Sequence, residues 1–232
     1  MHLVLSGEGK TDIGLFSYEN GEFIPAPMYY IIDKIIEKKL SYSIYENTPT
    51  EITFIPKDEL TKICKSFKSF TGKKQGQETA YFYKNALGLS KIAKEKCEEK
   101  KDNDVIAVLF RDCDGTGTSS STLWNNKIKS MEIAFGQIGI NGIPMIPNPK
   151  SEAWLICALK SSPYQNCEQL ENRSGNDDSP NNLKDELKTI LSTMGKEYND
   201  INDMIKNESI DIYKIKMPSF NYFLEKLETI LP

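Results

Sequence analysis

Residues 104–114 read DVIAVLFRDCD, and this stretch decides the fold. Val105 to Phe110 is an unbroken apolar run rich in branched side chains, the pattern of a strand covered by helices on both faces. It stops at Arg111-Asp112-Cys113-Asp114, so two carboxylates follow the carboxyl end of a buried strand, where open α/β sheets place their ligands. In an extended chain, alternate residues point to one side, so Asp112 and Asp114 are expected to converge as hard oxygen ligands on one magnesium ion. Two carboxylates that close repel each other unless a cation offsets them. A turn in which an Asp caps the next helix is the plainer alternative.

Toward the N-terminus, residues 77–100 and 58–69 have helical periodicity, separated by the turn-like FTGKKQGQE. Residues 51–56 (EITFIP) read as a strand and residues 27–40 (PMYYIIDKIIEKKL) as a helix ending in lysines, which suit its C-terminus. Residues 2–6 (HLVLS) form another buried strand that runs into GEGKTD. Toward the C-terminus, a helix over 122–136 precedes a short strand at 143–146 (IPMI), the turn PNP at 147–149 and a helix starting near Ser151. Alternation of strand and helix predicts an α/β fold, a mainly parallel sheet flanked by helices with right-handed crossovers. Residues 162–182, rich in Ser, Asn, Asp and Pro, read as an exposed loop, and 183–231 as short helices without strands.

Composition narrows the chemistry. The chain has 232 residues, 39% hydrophobic and 27% charged, an ordinary globular balance. No run approaches the roughly eighteen apolar residues that cross a bilayer, and the start carries no basic signal region, so no membrane association and a cytoplasmic location are expected. The five cysteines are odd in number and contain no C-x-x-C pair, which suggests buried thiols, with neither a disulfide framework nor a zinc site. His2 is the only histidine and is expected at a frayed terminus, so chemistry built on histidine has almost nothing to draw on. Carboxylates must carry any catalysis. A net charge of −4 argues against a coat of positive charge for indiscriminate DNA binding and leaves room for a local basic patch.

Three further groups of residues matter. Glu8-Gly9-Lys10-Thr11-Asp12 ends the first strand, where glycines let a carboxylate approach a metal or phosphate. It is not a P-loop, because that pattern requires a glycine at position 4, which is Val4. Pro149-Lys150-Ser151-Glu152-Ala153-Trp154 opens a helix after the last strand. Lys150 there can offset phosphoryl charge, and Glu152 is either a further ligand or a routine partner of the helix dipole. Trp154 and Leu155 continue an apolar face and read as core. Lysines 57, 62, 65, 68, 73 and 74, interleaved with Phe67 and Phe70, form either a phosphate-binding track or the solvated side of a helix.

EGKTD after the first strand together with DCD after a later apolar strand resembles the TOPRIM domain of topoisomerases, bacterial primases and OLD-family nucleases, over residues 1–160. The resemblance implies Mg2+ (or Mn2+), one or two ions, held by Glu8, Asp112 and Asp114, with Asp12 as a further candidate and Glu8 also serving in acid/base catalysis. KSEAW is similar to the late motif of OLD-like TOPRIM nucleases, which adds Glu152 as a metal ligand and Lys150 as a catalytic cation. The implied function is Mg-dependent phosphodiester hydrolysis of nucleic acid, DNA before RNA, with a carboxylate-bound metal activating water. Lys10, Lys68, Lys73 and Lys74 are then nucleic-acid-binding candidates. On this reading residues 57–100 are a helical insertion and 161–232 a helical C-terminal extension. Small TOPRIM proteins of this kind occur in phage defence, as effectors or beside a protein partner such as an ATPase subunit.

Two other readings stay open. DCDGTGT also resembles the nucleophile loop of haloacid-dehalogenase-type phosphatases, with Asp112 as nucleophile and Asp114 as acid/base. The later acidic pair of that family would have to be Asp177-Asp178, inside the polar stretch RSGNDDSPNN. The third is a non-catalytic TOPRIM-like binding module.

Overall fold

The computed structural model describes residues 1–17, 19, 21–67, 76–101, 104–114 and 121–231. Strand β1 (His2–Ser6) is followed by a hairpin of β2 (Gly14–Ser17) and β3 (Glu22–Pro25), helices α1 (Pro27–Leu40) and α2 (Ile44–Asn47), and β4 (Ile52–Phe54). Helices α3 (Lys57–Cys64) and α4 (Gly76–Lys100) lead to β5 (Val105–Phe110), α5 (Ser121–Ile138) and β6 (Asn141–Met145). The chain ends in α6 (Ser151–Leu159), α7 (Leu183–Thr193), α8 (Asp200–Lys206) and α9 (Pro218–Ile230). The main sheet is four-stranded and parallel throughout, in the order β4-β1-β5-β6.

Both faces of the sheet are covered, as the continuous apolar strands require. Leu3, Leu5, Ile106, Val108, Phe110, Ile143 and Met145 point into one core with α1 and the helices from α6 onward. Val4, Val105, Ala107 and Leu109 point into the other, against α4 and α5. Every residue of β5 is buried, and each large aliphatic side chain so placed contributes roughly 1.5–3 kcal/mol. Helix α4, within the residues 57–100 expected as an insertion, covers this second face together with α5. Residues of the expected C-terminal extension, including Leu187, Ile205 and Phe220, join the core of the first.

Two expectations need correction, and one element is additional. His2 is not frayed: it is 4% exposed within β1, its ring bonded to Glu51 at 3.0 Å and Thr53 at 2.8 Å. It sits at the amino end of the strand, away from the carboxylates, and burial holds its imidazole below the usual range. The cysteines are not all thiols. Cys157 and Cys167 are joined in a disulfide where the chain folds back after α6, while Cys64, Cys97 and Cys113 are buried thiols. The stretch after GEGKTD carries the unforeseen β2–β3 hairpin. No helix among the described residues is long and apolar enough to cross a membrane.

A candidate carboxylate site at the carboxyl edge of the sheet

Strand register assembles the site. Ser6 of β1 pairs with Leu109 of β5, and Phe110 of β5 with Met145 of β6, so all three strands end at one edge. The chain segments beyond β5 and β6 stay side by side. The Arg111 N–H donates to the Met145 carbonyl at 3.1 Å, Cys113 N–H to Pro147 at 3.0 Å and Asp114 N–H to Pro149 at 3.0 Å. Asp114 adopts a left-handed backbone with φ 46°, so the extended alternation expected from Asp112 ends there.

Asp112 is the hub. Its Oδ1 accepts the Ser151 N–H at 2.9 Å, and its own N–H donates to Glu8 Oε2 at 3.3 Å. Ser151 Oγ lies 3.4 Å from Asp12 Oδ1 and 3.5 Å from Glu152 Oε2. The loop after β1 is tight enough to bring Asp12 in: a Cβ on Gly7 would stand 2.0 Å from Ile13 Cγ2, and one on Gly9 2.6 Å from Asp12 Oδ2. Asp12, Asp112 and Glu152 thus come from three strand ends, and none of them makes an ion pair among the described residues. The cations nearby go elsewhere. Lys57 binds Glu8 at 2.7 Å, and Lys150 lies 2.8 Å from Asp177 and 3.6 Å from Asp114.

The electrostatics record that uncompensated charge. Burial and then the negative charges of Glu152 and Glu8 push the Asp12 carboxyl up to about 6. Burial raises Asp112 well above the carboxylate range, reinforced by Asp12, Glu152 and Asp114, and the Ser151 N–H offsets only part of this. Asp114 is also raised by burial, with Lys150 opposing. A divalent cation fits such a donor set, hard oxygens whose mutual repulsion it would relieve. Among the described residues no three such groups already stand as a ready ligand shell.

The carboxylates form one side of a cleft of about 940 Å³, which also contains Lys150 and Asp177. Its other side is α7 and the turn leading to α8, including Tyr198, whose hydroxyl is held protonated by burial and by the charges of Asp12, Glu152 and Asp112. Beneath the loop after β5 lie two buried cations. Lys127 donates to the Cys113 carbonyl, and Arg111 donates to the Phe110 carbonyl at 2.6 Å and to Asn85 at 2.9 Å.

The other candidates are more dispersed. Lys10 is exposed in a separate 230 Å³ hollow beside Glu8 and Lys57. Lys68, Lys73 and Lys74 lie outside the described residues, as do residues 115–120. The described lysines Lys62 and Lys65 are exposed at α3, a helix that buries Leu60 and Cys64, which is the solvated-face alternative. Sequence reasoning missed Tyr198 and the α7 wall, in which nothing local announces a site, and it placed Lys57 in the lysine track and not beside Glu8. Asp177 enters the sequence reading only as half of an acidic pair, and the structure places it against Lys150.

Fold and site together define a parallel α/β protein with a cluster of carboxylates where its central strands end. The chain belongs to DUF4276, described as a domain of unknown function, whose family model matches residues 48–228. No curated protein and no solved structure matches the chain.

Proposed function

We propose that this protein is a magnesium- or manganese-dependent phosphodiesterase acting on nucleic acid. The observation that carries this reading is the meeting of Asp12, Asp112 and Glu152 without a cation of their own. These three would hold the metal, with Glu8 and Asp114 at its margins. A metal bound there supplies Lewis-acid polarisation of a phosphoryl oxygen and lowers the pKa of water. The protein side of the chemistry is positioning. The Ser151 N–H fixes Asp112, the Asp112 N–H holds Glu8 near the reacting centre, and Lys150 faces charge that builds on phosphate oxygens. The TOPRIM resemblance of EGKTD and DCD supports a nucleic-acid substrate, DNA before RNA, and with it the reading as a phage-defence effector or a subunit beside an ATPase partner.

The test is incubation of the protein with labelled single- and double-stranded DNA and RNA and each metal. Metal-dependent cleavage is expected, and Asp112→Asn and Asp114→Asn are each expected to abolish it without unfolding the protein; activity retained in both variants sinks the proposal.

One observation favours a second reading, a phosphatase with Asp112 as nucleophile: Asp177 reaches the site through Lys150. Glu8→Gln separates the two. The nuclease reading expects near-complete loss of cleavage, and the phosphatase reading expects little loss on a phosphomonoester.

A further inference from the structure

The wall of the cleft that faces the carboxylates is built by the C-terminal part of the chain and carries Lys184, Lys188 and Lys196. Lys184 and Lys188 are four residues apart on α7 and therefore leave the same face of that helix. All three lysines are exposed, and none makes an ion pair among the described residues. Asp185 and Glu197 share the wall without an ion pair among the described residues, Asp185 being held at the helix start by Asn182 Nδ2 at 2.7 Å, and Asp177, which also lines the cleft, feels the charge of Lys184 without pairing with it. Unpaired ammonium groups across a cleft from a candidate phosphate-cleaving centre call for an extended polyanion rather than a single phosphate. The i, i+4 step along a helix, about 5–6 Å between Cβ atoms, is comparable to the step between successive phosphates of an extended strand.

The size of the cleft selects among polyanions. Its 940 Å³ lies within the range of pockets that enclose small ligands. A volume of that order suits a short stretch of a single strand better than the body of a duplex, whose major groove alone is about 12 Å wide. Resting on the phosphodiesterase reading, we propose that Lys184, Lys188 and Lys196 grip the backbone phosphates flanking the reacting one, and that the substrate is a single strand threaded between α7 and the sheet edge.

The experiment measures binding apart from cleavage. Fluorescence anisotropy of a labelled single-stranded DNA oligonucleotide and of its duplex is read with magnesium in an Asp112→Asn background, with and without Lys184→Glu and Lys188→Glu together. The double charge reversal is expected to weaken single-strand binding tenfold or more. Lys184→Gln with Lys188→Gln is expected to lower the salt slope by roughly 1.4, at about 0.7 for each phosphate no longer neutralised. The exposed positions leave the melting temperature unchanged, which is checked in parallel. Affinity within twofold of the parent, duplex bound as tightly as the single strand, or no oligonucleotide binding by the parent each overturns the proposal. Failure of the phosphodiesterase reading has its own signature: lysine-dependent strand binding by a wild-type protein that cleaves no nucleic acid with any metal.

Discussion

The Ser151 N–H donates to Asp112 Oδ1 at 2.9 Å, so the carboxylate that follows β5 caps the helix that follows β6. Lys150, at the cap position itself, provides no side-chain cap, and Asp112 satisfies a helix N–H from a residue 39 positions away. One side chain therefore serves both the fold and the candidate metal site. Asn and Ala at position 112 remove the same ionisable carboxyl, but only Asn keeps an accepting oxygen. Asp112→Ala is expected to melt about 2–4 °C below Asp112→Asn, the equivalent of a cap worth about 1 kcal/mol. Both should lack metal-dependent cleavage. Equal melting temperatures in differential scanning fluorimetry would show that the cap contributes nothing.

Asp12 supplies a pH signature. Its carboxyl is raised from 3.8 to about 6, so between those values the folded protein holds a proton that the unfolded chain has released. The stabilisation from this group is fully present below about pH 4 and is lost as pH rises through 6. Without metal, Asp12→Asn should thus melt above wild type at pH 7, by several degrees, and the gap should shrink toward zero at pH 4. Magnesium should raise the wild-type melting temperature at pH 7 and do little for the variant. A gap that stays constant with pH would place the raised carboxyl elsewhere.

How much of this was legible in the residues depends on the range of the interaction. β1 and β5 announce themselves because a strand buried on both faces must be apolar at every position, and a carboxylate just beyond such a run has few places to be except the sheet edge. Asp12 was harder. Its place beside Asp112 depends on how tightly Gly7 and Gly9 let the loop turn, and spacing alone does not reveal that. The β2–β3 hairpin leaves little trace in the residues, because four-residue strands with Glu22 and Ile24 exposed carry little pattern. The far wall of the cleft was illegible for another reason. Lys184, Lys188 and Tyr198 reach the site only because Leu183, Leu187 and Leu191 dock α7 onto the core of the sheet, a long-range packing choice that leaves no local motif.

Lys150 tests the link between the polar loop and the site. It lies 2.8 Å from Asp177, whose side chain is 53% exposed, and that ion pair holds the Asp177 carboxyl below its usual range. A pair with one exposed partner, in which Lys150 is 14% exposed, adds modest stability, so Asp177→Asn should shift the melting temperature only slightly. It should lower KM for cleavage, because Lys150 no longer has to leave a carboxylate to meet a phosphate. Lys150→Ala should instead reduce kcat by about 100-fold or more, the usual result of removing a donor that stabilises transition-state charge. Steady-state kinetics on a single-stranded substrate checks both. A fall in kcat for Asp177→Asn as large as for Lys150→Ala would make Asp177 part of the catalytic apparatus and favour the phosphatase reading.

Trp154 shows why the C-terminal helices matter to the site. It is fully buried on α6, two residues from Glu152, edge-on to Phe220 at 5.0 Å and stacked near Phe223 at 6.1 Å. Its Nε1–H donates to Ser219 Oγ at 2.9 Å, and that hydroxyl in turn donates to Glu171 at 2.6 Å. The indole thus joins α6 to α9 both through apolar contact and through a buried hydrogen bond. Trp154→Ala should cost about 3–5 kcal/mol, the range for removing a large aromatic from a core. Trp154→Phe keeps most of the apolar contact but leaves Ser219 Oγ without that donor, so a loss nearer 1–3 kcal/mol is expected. Urea unfolding should show both as lower midpoints with an unchanged slope. Because α6 begins at Ser151 and Glu152, the alanine variant should also lose cleavage at temperatures where it remains folded. A cost below about 1 kcal/mol for Trp154→Ala would mean that α9 does not dock on α6 and that the carboxylate edge is held in place without it.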